Sequence, residues 1–109
     1  MTINYKVLGQ QEPAATTETT LYTVPAGTQT VCSTLSVCNN GTADGTFRVR
    51  IKINNAADAD SQYLFFDYGV AAIDTRTFTI GMTLGAGDVF RVYSTVATMS
   101  FSLFGSEIS

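Results

Sequence analysis

Alternation of apolar and polar residues is the feature that most constrains this fold. Successive side chains of a β-strand point to opposite faces, whereas a helix places its apolar residues three or four positions apart. Residues 45–54 alternate strictly, with Phe47, Val49, Ile51 and Ile53 on one parity and Arg48, Arg50 and Lys52 on the other. We therefore expect a strand with one face on a core and the other in water or against a partner.

Seven other segments have strand-like composition, and turn residues such as Pro25-Ala26-Gly27, Asn40-Gly41 and Gly85-Ala86-Gly87 separate several of them. No window predicts an amphipathic helix. The predicted strands span residues 5–10, 19–24, 28–38, 45–54, 62–68, 76–82, 89–95 and 98–104. This pattern predicts an all-β fold, a single β-sandwich of about eight antiparallel strands that is jelly-roll-like. We expect the last two strands to form a hairpin.

The chain of 109 residues fits one domain. Residues 19–109 are predicted to form the sandwich, and residues 1–18 an N-terminal strand or arm followed by a polar linker. This segment has two interpretations. It could add a strand to the sheet edge of a neighbouring copy, or it could be the first strand of its own sheet.

The charge content excludes several classes of partner. Only 14% of the residues are charged and the net charge is −3, against roughly 25% charged residues in an ordinary soluble domain. Nucleic-acid affinity rests on clustered Lys and Arg, so we expect no nucleic-acid partner. No apolar stretch is long enough to span a membrane, and the first residues lack the apolar segment of a signal peptide. We expect synthesis in a cytoplasm and no membrane partner.

Histidine is absent from the chain, and there are two cysteines. Serine and cysteine triads need an imidazole base, and most zinc sites need His or several Cys. We therefore expect no enzyme activity, no catalytic residues, no cofactor and no metal. Two alternatives depend on carboxylates alone. Asp58 and Asp60 could hold calcium in a loop that otherwise reads as a solvated turn, and a pair among Asp67, Asp74 and Asp88 could hydrolyse a glycoside.

Cys32 and Cys38 have the same parity in one predicted strand. Six residues of strand separate them by roughly 20 Å, which is too far for a disulfide. The opposite parity holds Val31, Leu35 and Val37, which predicts that these three face the core and that both cysteines face away from it. The cysteines are then small apolar residues at a subunit contact or in a second layer.

The candidate interface combines a basic stripe with exposed apolar side chains of a neighbouring strand. It comprises Arg48, Arg50, Lys52, Leu64, Phe66 and Tyr68. The basic residues could contact acidic groups of another subunit, or they could form a solvated face that cross-strand acids such as Asp67 neutralise. The chain also contains 17 threonines and 8 serines, which predict uncharged surfaces well suited to being covered by another protein.

Two stretches resemble a group of small virion structural proteins of tailed bacteriophages. The first is TLYTVPAGT at residues 20–28, running on to Val37-Cys38-Asn39. The second is TLGAGDVFRVY at residues 83–93, followed by FSLFGSEI at residues 101–108. The resemblance covers about residues 19–108, nearly the whole chain, and the order and spacing of these segments support it.

The resemblance implies a small β-sandwich of the virion. It could be a capsid cement or decoration protein, in which a homo-oligomer, here expected to be a trimer, clamps the major capsid protein or other virion proteins. It could instead be a tail, baseplate or fibre component that binds host glycan or protein. A third hypothesis, a glycosidase, depends on the three aspartates named above.

Overall fold

The computed structural model describes all residues from Met1 to Ser109. Every predicted strand is confirmed, most of them within one or two residues at each end. The strands are β1 (Ile3–Gln11), β2 (Thr19–Thr23), β3 (Gln29–Asn39), β4 (Gly45–Lys52), β5 (Tyr63–Val70), β6 (Asp74–Leu84), β7 (Val89–Ser94) and β8 (Met99–Ile108). Two short 3-10 turns, Ile53–Asn55 and Asp60–Gln62, lie in the loop between β4 and β5. No helix has the length and apolarity that a membrane crossing requires.

The strands form two antiparallel four-stranded sheets that pack face to face. Sheet A has the order β1-β8-β3-β6 and sheet B the order β2-β7-β4-β5. This arrangement confirms the jelly-roll-like sandwich. The predicted hairpin of the last two strands is wrong, because β7 lies in sheet B and β8 in sheet A. Only β4 and β5 pair as neighbours in sequence; every other pairing joins distant segments.

The core lies between the sheets and is centred on Phe47. Its ring is 5.4 Å from Phe65 in the same sheet and 5.7 Å from Phe101 in the opposite sheet, measured between centroids. Tilted and edge-on rings at such distances add attraction to the burial of apolar area. A buried Asn39 at the end of β3 satisfies its side chain fully, since its amide donates to Ala43 and Val70 and its oxygen accepts from Gly41 and Thr98.

A β-bulge in β3 overturns the predicted faces of this strand. The register with β8 pairs Cys32 with Gly105 and Thr34 with Phe104, so Ser33 is an extra residue. One extra residue reverses the parity of everything before it. Cys32 is therefore completely buried in the core beside Leu35 and Val37, and Val31 lies on the outer face. Cys38 is half-buried on the outer face as predicted, and both cysteines are free.

The end of β4 also differs from the prediction. Ile53 was expected to continue the core face, but it is 74% exposed and begins a 3-10 turn. The strand ends at Lys52 because Asn54 and Asn55 adopt left-handed conformations, with φ of 49° and 56°. Asn tolerates this region better than most residues do. The turn carries the chain out of the sheet before Ile53 can reach the core.

Two corners hold the crossing connections between the sheets together. Gly27, between β2 and β3, and Gly87, between β6 and β7, both have positive φ, 70° and 84°. The two corners bond each other, because Val24 N–H donates to the Asp88 carbonyl and Gly87 N–H donates to the Val24 carbonyl. The β2–β3 and β6–β7 connections, which have similar sequences, are thus hydrogen-bonded to each other at one end of the sandwich.

Strand β1 is an edge strand of its own chain's sheet A. It pairs with β8 from Ile3 opposite Ile108 to Gln11 opposite Phe101, with a bulge near Leu8. A salt bridge of 2.8 Å from Lys6 to Glu107 adds a charged contact to this pairing. The structure thus has the arrangement of a first strand in its own sheet.

Candidate interaction surface

The outer face of sheet B carries the predicted basic stripe. Arg50 lies at its centre, opposite Tyr63 of β5 on one side and Arg91 of β7 on the other. Like charges directly opposite each other on neighbouring strands repel. The pair Arg50 and Arg91 therefore needs an acidic partner in order to be stable.

Glu18, from the loop before β2, supplies that partner. One carboxylate oxygen is 3.1 Å from Arg91 Nε and the other is 3.4 Å from Arg50 Nε. The contact to Arg50 Nε lacks hydrogen-bond geometry, so it is an ion pair only. Arg91 also donates to the hydroxyl of Thr20 and to the Glu18 carbonyl. Glu18 thereby fastens the polar loop to the middle of sheet B.

Arg50 is buried, with 8% of its surface exposed. Its guanidinium lies 4.5 Å from the centroid of the Tyr63 ring and donates to the Tyr63 hydroxyl. Burial lowers the pKa of Arg50, but the Tyr63 bond and the charges of Glu18 and Asp58 outweigh it and leave a net rise. Arg50 is thus permanently charged and bound to groups of its own chain.

Asp58 closes the same cluster from the loop between β4 and β5. It lies 2.8 Å from Lys52 Nζ and 3.2 Å from Arg50 Nη1. The bond from Lys52 lowers the pKa of the Asp58 carboxyl below its usual value. Asp58, one of the two candidate calcium ligands of the sequence analysis, therefore forms ion pairs with Lys52 and Arg50 of its own chain. No three metal-ligating side chains converge anywhere in the structure.

Arg48 forms a second cluster one row away. It donates two hydrogen bonds to the carboxylate of Asp67, at 2.6 and 3.3 Å. Its guanidinium also lies 4.2 Å from the centroid of Phe66 and 4.9 Å from that of Tyr93. The bond to Asp67 raises the pKa of Arg48. The three basic residues of the predicted stripe all have acidic partners within the chain. Asp67, the cross-strand acid expected from the sequence, is the partner of Arg48.

The apolar residues of the predicted interface remain exposed. Leu64, Phe66 and Tyr68 are 45%, 57% and 40% exposed. Irregularities in β5 place them in different surroundings, because Asp67 has a φ of 52° and the register shifts on both sides of Val49. Phe66 lies on the outer face beneath Arg48, whereas the Tyr68 ring contacts Phe47 and Phe78 at the edge of the core.

Leu64 borders an open apolar groove of about 500 Å³ beneath the loop that joins β4 and β5. Its lining is dominated by apolar side chains, including Ile51, Ile53 and Ala57, with Tyr63 at one side. Because β5 is the edge strand of sheet B, its exposed apolar side chains lie along the margin of the sheet beside the charged cluster. We call Leu64, Phe66 and Tyr68 the β5 margin.

The three aspartates of the glycosidase hypothesis all have structural partners. Asp67 binds Arg48, and Asp74 lies 3.7 Å from Arg76. Asp88 accepts backbone hydrogen bonds from Asn54 and Gly85, at 2.9 and 2.8 Å. Asp74 begins β6 and Asp88 follows its end, which separates them by roughly 30 Å, far beyond the ~5–10 Å between paired glycosidase carboxylates.

Several members of this surface carry no local sequence signal. Arg91 and Tyr93 lie far along the chain from Arg48 and Arg50, and Glu18 is in a loop that looks featureless in sequence. Arg91 and Tyr93 share one parity of β7. The pairing of β7 with β4 cannot be read from alternation. The contact of Arg91 and Tyr93 with the basic stripe was therefore not predicted.

Comparisons with known proteins concern the fold. Neither a family model nor a curated protein matches the chain. A chain in the structure of the infectious bursal disease virus Gx strain superposes with a TM-score of 0.53 and 9% identity, covering 97% of this chain and 31% of that one. A pentameric capsid protein isolated from metagenomic phage sequences gives a TM-score of 0.42 and 16% identity, covering 95% and 63%. The chain thus spans less than two thirds of either neighbour, and the first likeness shows a shared jelly-roll fold.

Proposed function

We propose that this chain is a non-enzymatic structural protein of a bacteriophage virion, and that it acts as a capsid cement or decoration protein. In this role a homo-oligomer, expected to be a trimer, binds the shell formed by the major capsid protein and stabilises it. Its location is then the assembled virion. Modest contacts repeated over a shell give strong attachment through multivalency.

The observation that carries this proposal is the fold. The strand orders β1-β8-β3-β6 and β2-β7-β4-β5 form a jelly roll, an architecture found in viral capsid domains and also in lectins and cupins. The similarity to a chain of a virus structure extends over 97% of this chain. The sequence resemblance to small phage virion proteins supports the same role independently of the coordinates.

The chemistry of the polar residues supports a role in assembly. Asp67, Asp74 and Asp88 each bind groups of their own chain, and the cations of sheet B are bound by Glu18, Asp58 and Asp67. A general acid or base needs a carboxyl that is free to exchange a proton with a substrate. These carboxylates instead hold loops and strands in place.

We assign contact with the shell to the β5 margin, with Arg48, Arg50 and Lys52 beside it. Leu64, Phe66 and Tyr68 are exposed aromatic or aliphatic side chains next to cations that each form an ion pair within the chain. Interfaces are typically built from aromatic and Arg side chains with few free charges at the centre. The basic cluster then keeps β5 in position, and the β5 margin supplies the buried contact.

Antibody labelling of virions that contain this protein tests the location. Signal over the head supports the cement role, signal at the tail tip supports the alternative below, and an unlabelled particle contradicts both. Binding to shells depleted of the protein tests the surface. We expect Phe66→Ser to weaken binding about tenfold or more. Ile73→Ser, which changes another exposed apolar residue on the β5–β6 connection, should bind as the unaltered chain does.

The second candidate is a tail, baseplate or fibre component that binds host glycan or protein. The apolar groove beside Leu64 favours it, because a concave site with Tyr63 at one side could accommodate a ligand. A glycan array and a host-cell binding assay test this candidate. Saturable binding that Leu64→Asp abolishes would support it over the cement role.

A further inference from the structure

No strand residue on the outer face of sheet A is charged, and the charge nearest to this face is Glu12, which follows β1 beside Ser100 and accepts a hydrogen bond from Asn40. The register defines three complete rows across its four strands: Tyr5–Ser106–Val31–Thr83, Val7–Phe104–Thr34–Thr79 and Gln10–Ser102–Ser36–Thr77. Partial rows at the two ends add Ile3, Ile108 and Gln29, and Ser100, Cys38 and Thr75. We call this set the neutral face. Its side chains are aliphatic or aromatic toward β1 and hydroxyl-bearing toward β6.

The strands of sheet A do carry charges, but all of them lie on the opposite side. Lys6 shares a row with the buried Cys32 through Gly105, and Glu107 is opposite the buried Thr30. Arg76 and Asp74 lie opposite the buried Val37 and Asn39. Four charges thus lie on the side of the sheet that faces the core, where Lys6, Asp74 and Arg76 on the edge strands remain about half exposed. A face permanently in water gains solubility from charges, so this distribution is the reverse of what a free surface needs.

The two outer faces of the sandwich contrast sharply. The outer face of sheet B holds four of the six cations, Arg48, Arg50, Lys52 and Arg91. The neutral face holds none, yet it exposes 43% of Ile3, 83% of Tyr5 and 49% of Val7. An uncharged face with exposed apolar side chains can be covered without leaving a desolvated, unpaired charge.

We propose that the neutral face is the surface through which copies of this chain contact one another. This inference rests on the proposed function, which has the chain act as an oligomer. Copies that each carry a net charge of −3 repel, and the repulsion is weakest where the meeting surfaces carry no charge. A second copy is therefore the partner that fits this surface best, since both sides of the contact are then neutral.

The size of the face is sufficient for such a contact. Four strands about 4.8 Å apart and five rows about 6.8 Å apart give roughly 500–600 Å² in projection. Side-chain relief raises the accessible area toward the ~800 Å² per partner of a standard interface. A two-fold pair uses the whole face against one partner, whereas a ring of three divides it between two neighbours. The β5 margin stays free in either case, because it belongs to sheet B.

Matched charge substitutions test this proposal. Thr77 on the neutral face and Thr23 on sheet B are both exposed threonines on edge strands. Sedimentation velocity over a concentration series measures association of the full chain, and circular dichroism checks folding. We expect Thr77→Glu and Thr77→Lys each to raise the dissociation constant of the oligomer about tenfold or more, because either sign is buried unpaired. Thr23→Glu should leave the dissociation constant unchanged.

Three results would overturn the inference. They are an oligomer that both Thr77 variants leave intact, an oligomer that Thr23→Glu disrupts instead, and an unaltered chain that stays monomeric. The first two leave the proposed function standing, since copies still assemble. A monomer that binds depleted shells through the neutral face would identify a shell protein as the partner. Failure of the proposed function itself appears separately, as virions without antibody label.

Discussion

The hydroxyl of Tyr22 donates a hydrogen bond of 2.5 Å to the carboxylate of Glu107. Tyr22 is in β2 of sheet B and Glu107 is in β8 of sheet A, so the bond ties the two sheets together. The same hydroxyl lies 2.7 Å from that of Thr30, and the carboxylate also binds Lys6. Burial and the bond to Glu107 raise the pKa of Tyr22, which therefore stays protonated and able to donate.

Removal of this hydroxyl should destabilise the fold. We expect Tyr22→Phe to lower the free energy of unfolding by about 1–2 kcal/mol, because a hydrogen bond to a charged group is lost inside the sandwich. Urea denaturation followed by circular dichroism measures the change. Tyr5→Phe is the control, since Tyr5 is 83% exposed. Equal losses in the two variants would contradict the prediction.

The pH dependence of stability should include a contribution from Glu107. The bonds from Lys6 and Tyr22 lower the pKa of its carboxyl, so the folded state favours the ionised form. The resulting stability is complete above the ordinary carboxyl pKa of about 4.3 and is lost as the pH falls through the lower folded value. Unfolding free energies measured from about pH 6 to 3 should fall less steeply in Glu107→Gln. An identical slope in both proteins would count against this role of Glu107.

A methyl group at Gly105 should disrupt the centre of sheet A. A Cβ added there would lie 2.0 Å from the carbonyl oxygen of Val31, beside the β3 bulge. Backbone cannot yield cheaply, so we expect Gly105→Ala to lower the free energy of unfolding by about 2 kcal/mol or more. Gly69→Ala, which meets nothing within 4 Å, is the matched control. Thermal melting of both variants makes the comparison.

Loss of the Glu18 charge should leave the positive charges of Arg50 and Arg91 opposite each other without the carboxylate that now lies between them. We expect Glu18→Gln to lower the free energy of unfolding by about 1 kcal/mol, a modest value because Glu18 is partly exposed. Asp60→Asn changes the net charge equally at an exposed turn and should have little effect. High salt should reduce the difference between Glu18→Gln and the unaltered chain. A larger loss in Asp60→Asn would refute the bridging role.

The two cysteines should differ in reactivity. Burial raises the pKa of the Cys32 thiol to about 11, and the side chain is inaccessible, whereas Cys38 is half-buried. Thiolate is the reactive form. A thiol reagent at about pH 8 should therefore modify one cysteine, Cys38, in the native monomer at high dilution and both in denaturant. Peptide mapping by mass spectrometry identifies the site, and rapid native labelling of Cys32 would contradict the structure of the bulge.

The interior of the sandwich shows how far alternation predicts a fold. The positions of all eight strands follow from it, because the period of two is a local property of extended chain. The faces of β3 do not follow, because one extra residue at Ser33 shifts the parity and moves Cys32 into the core. A bulge is set by the partner strand, and here Gly105 provides the space for it.

The candidate surfaces depend even more on tertiary structure. Alternation placed Arg48, Arg50 and Lys52 on one face, and exposure of Leu64, Phe66 and Tyr68 was expected. The acids that bind the stripe come from loops at Glu18 and Asp58, and contacts made by loops leave no periodic pattern. The neutral face was visible in the sequence only as an excess of Thr and Ser.

The sequence by itself determined that this chain forms strands and turns, and that it lacks the groups of histidine-based catalysis. These properties depend on residue type and on spacing over a few positions. Only the tertiary structure decided which strands pair, as when β1 meets β8 about one hundred residues away. Such pairing is selected by the burial of both sheets at once. The same pairing separates a charged outer face from a neutral one, which no local pattern of residues reveals.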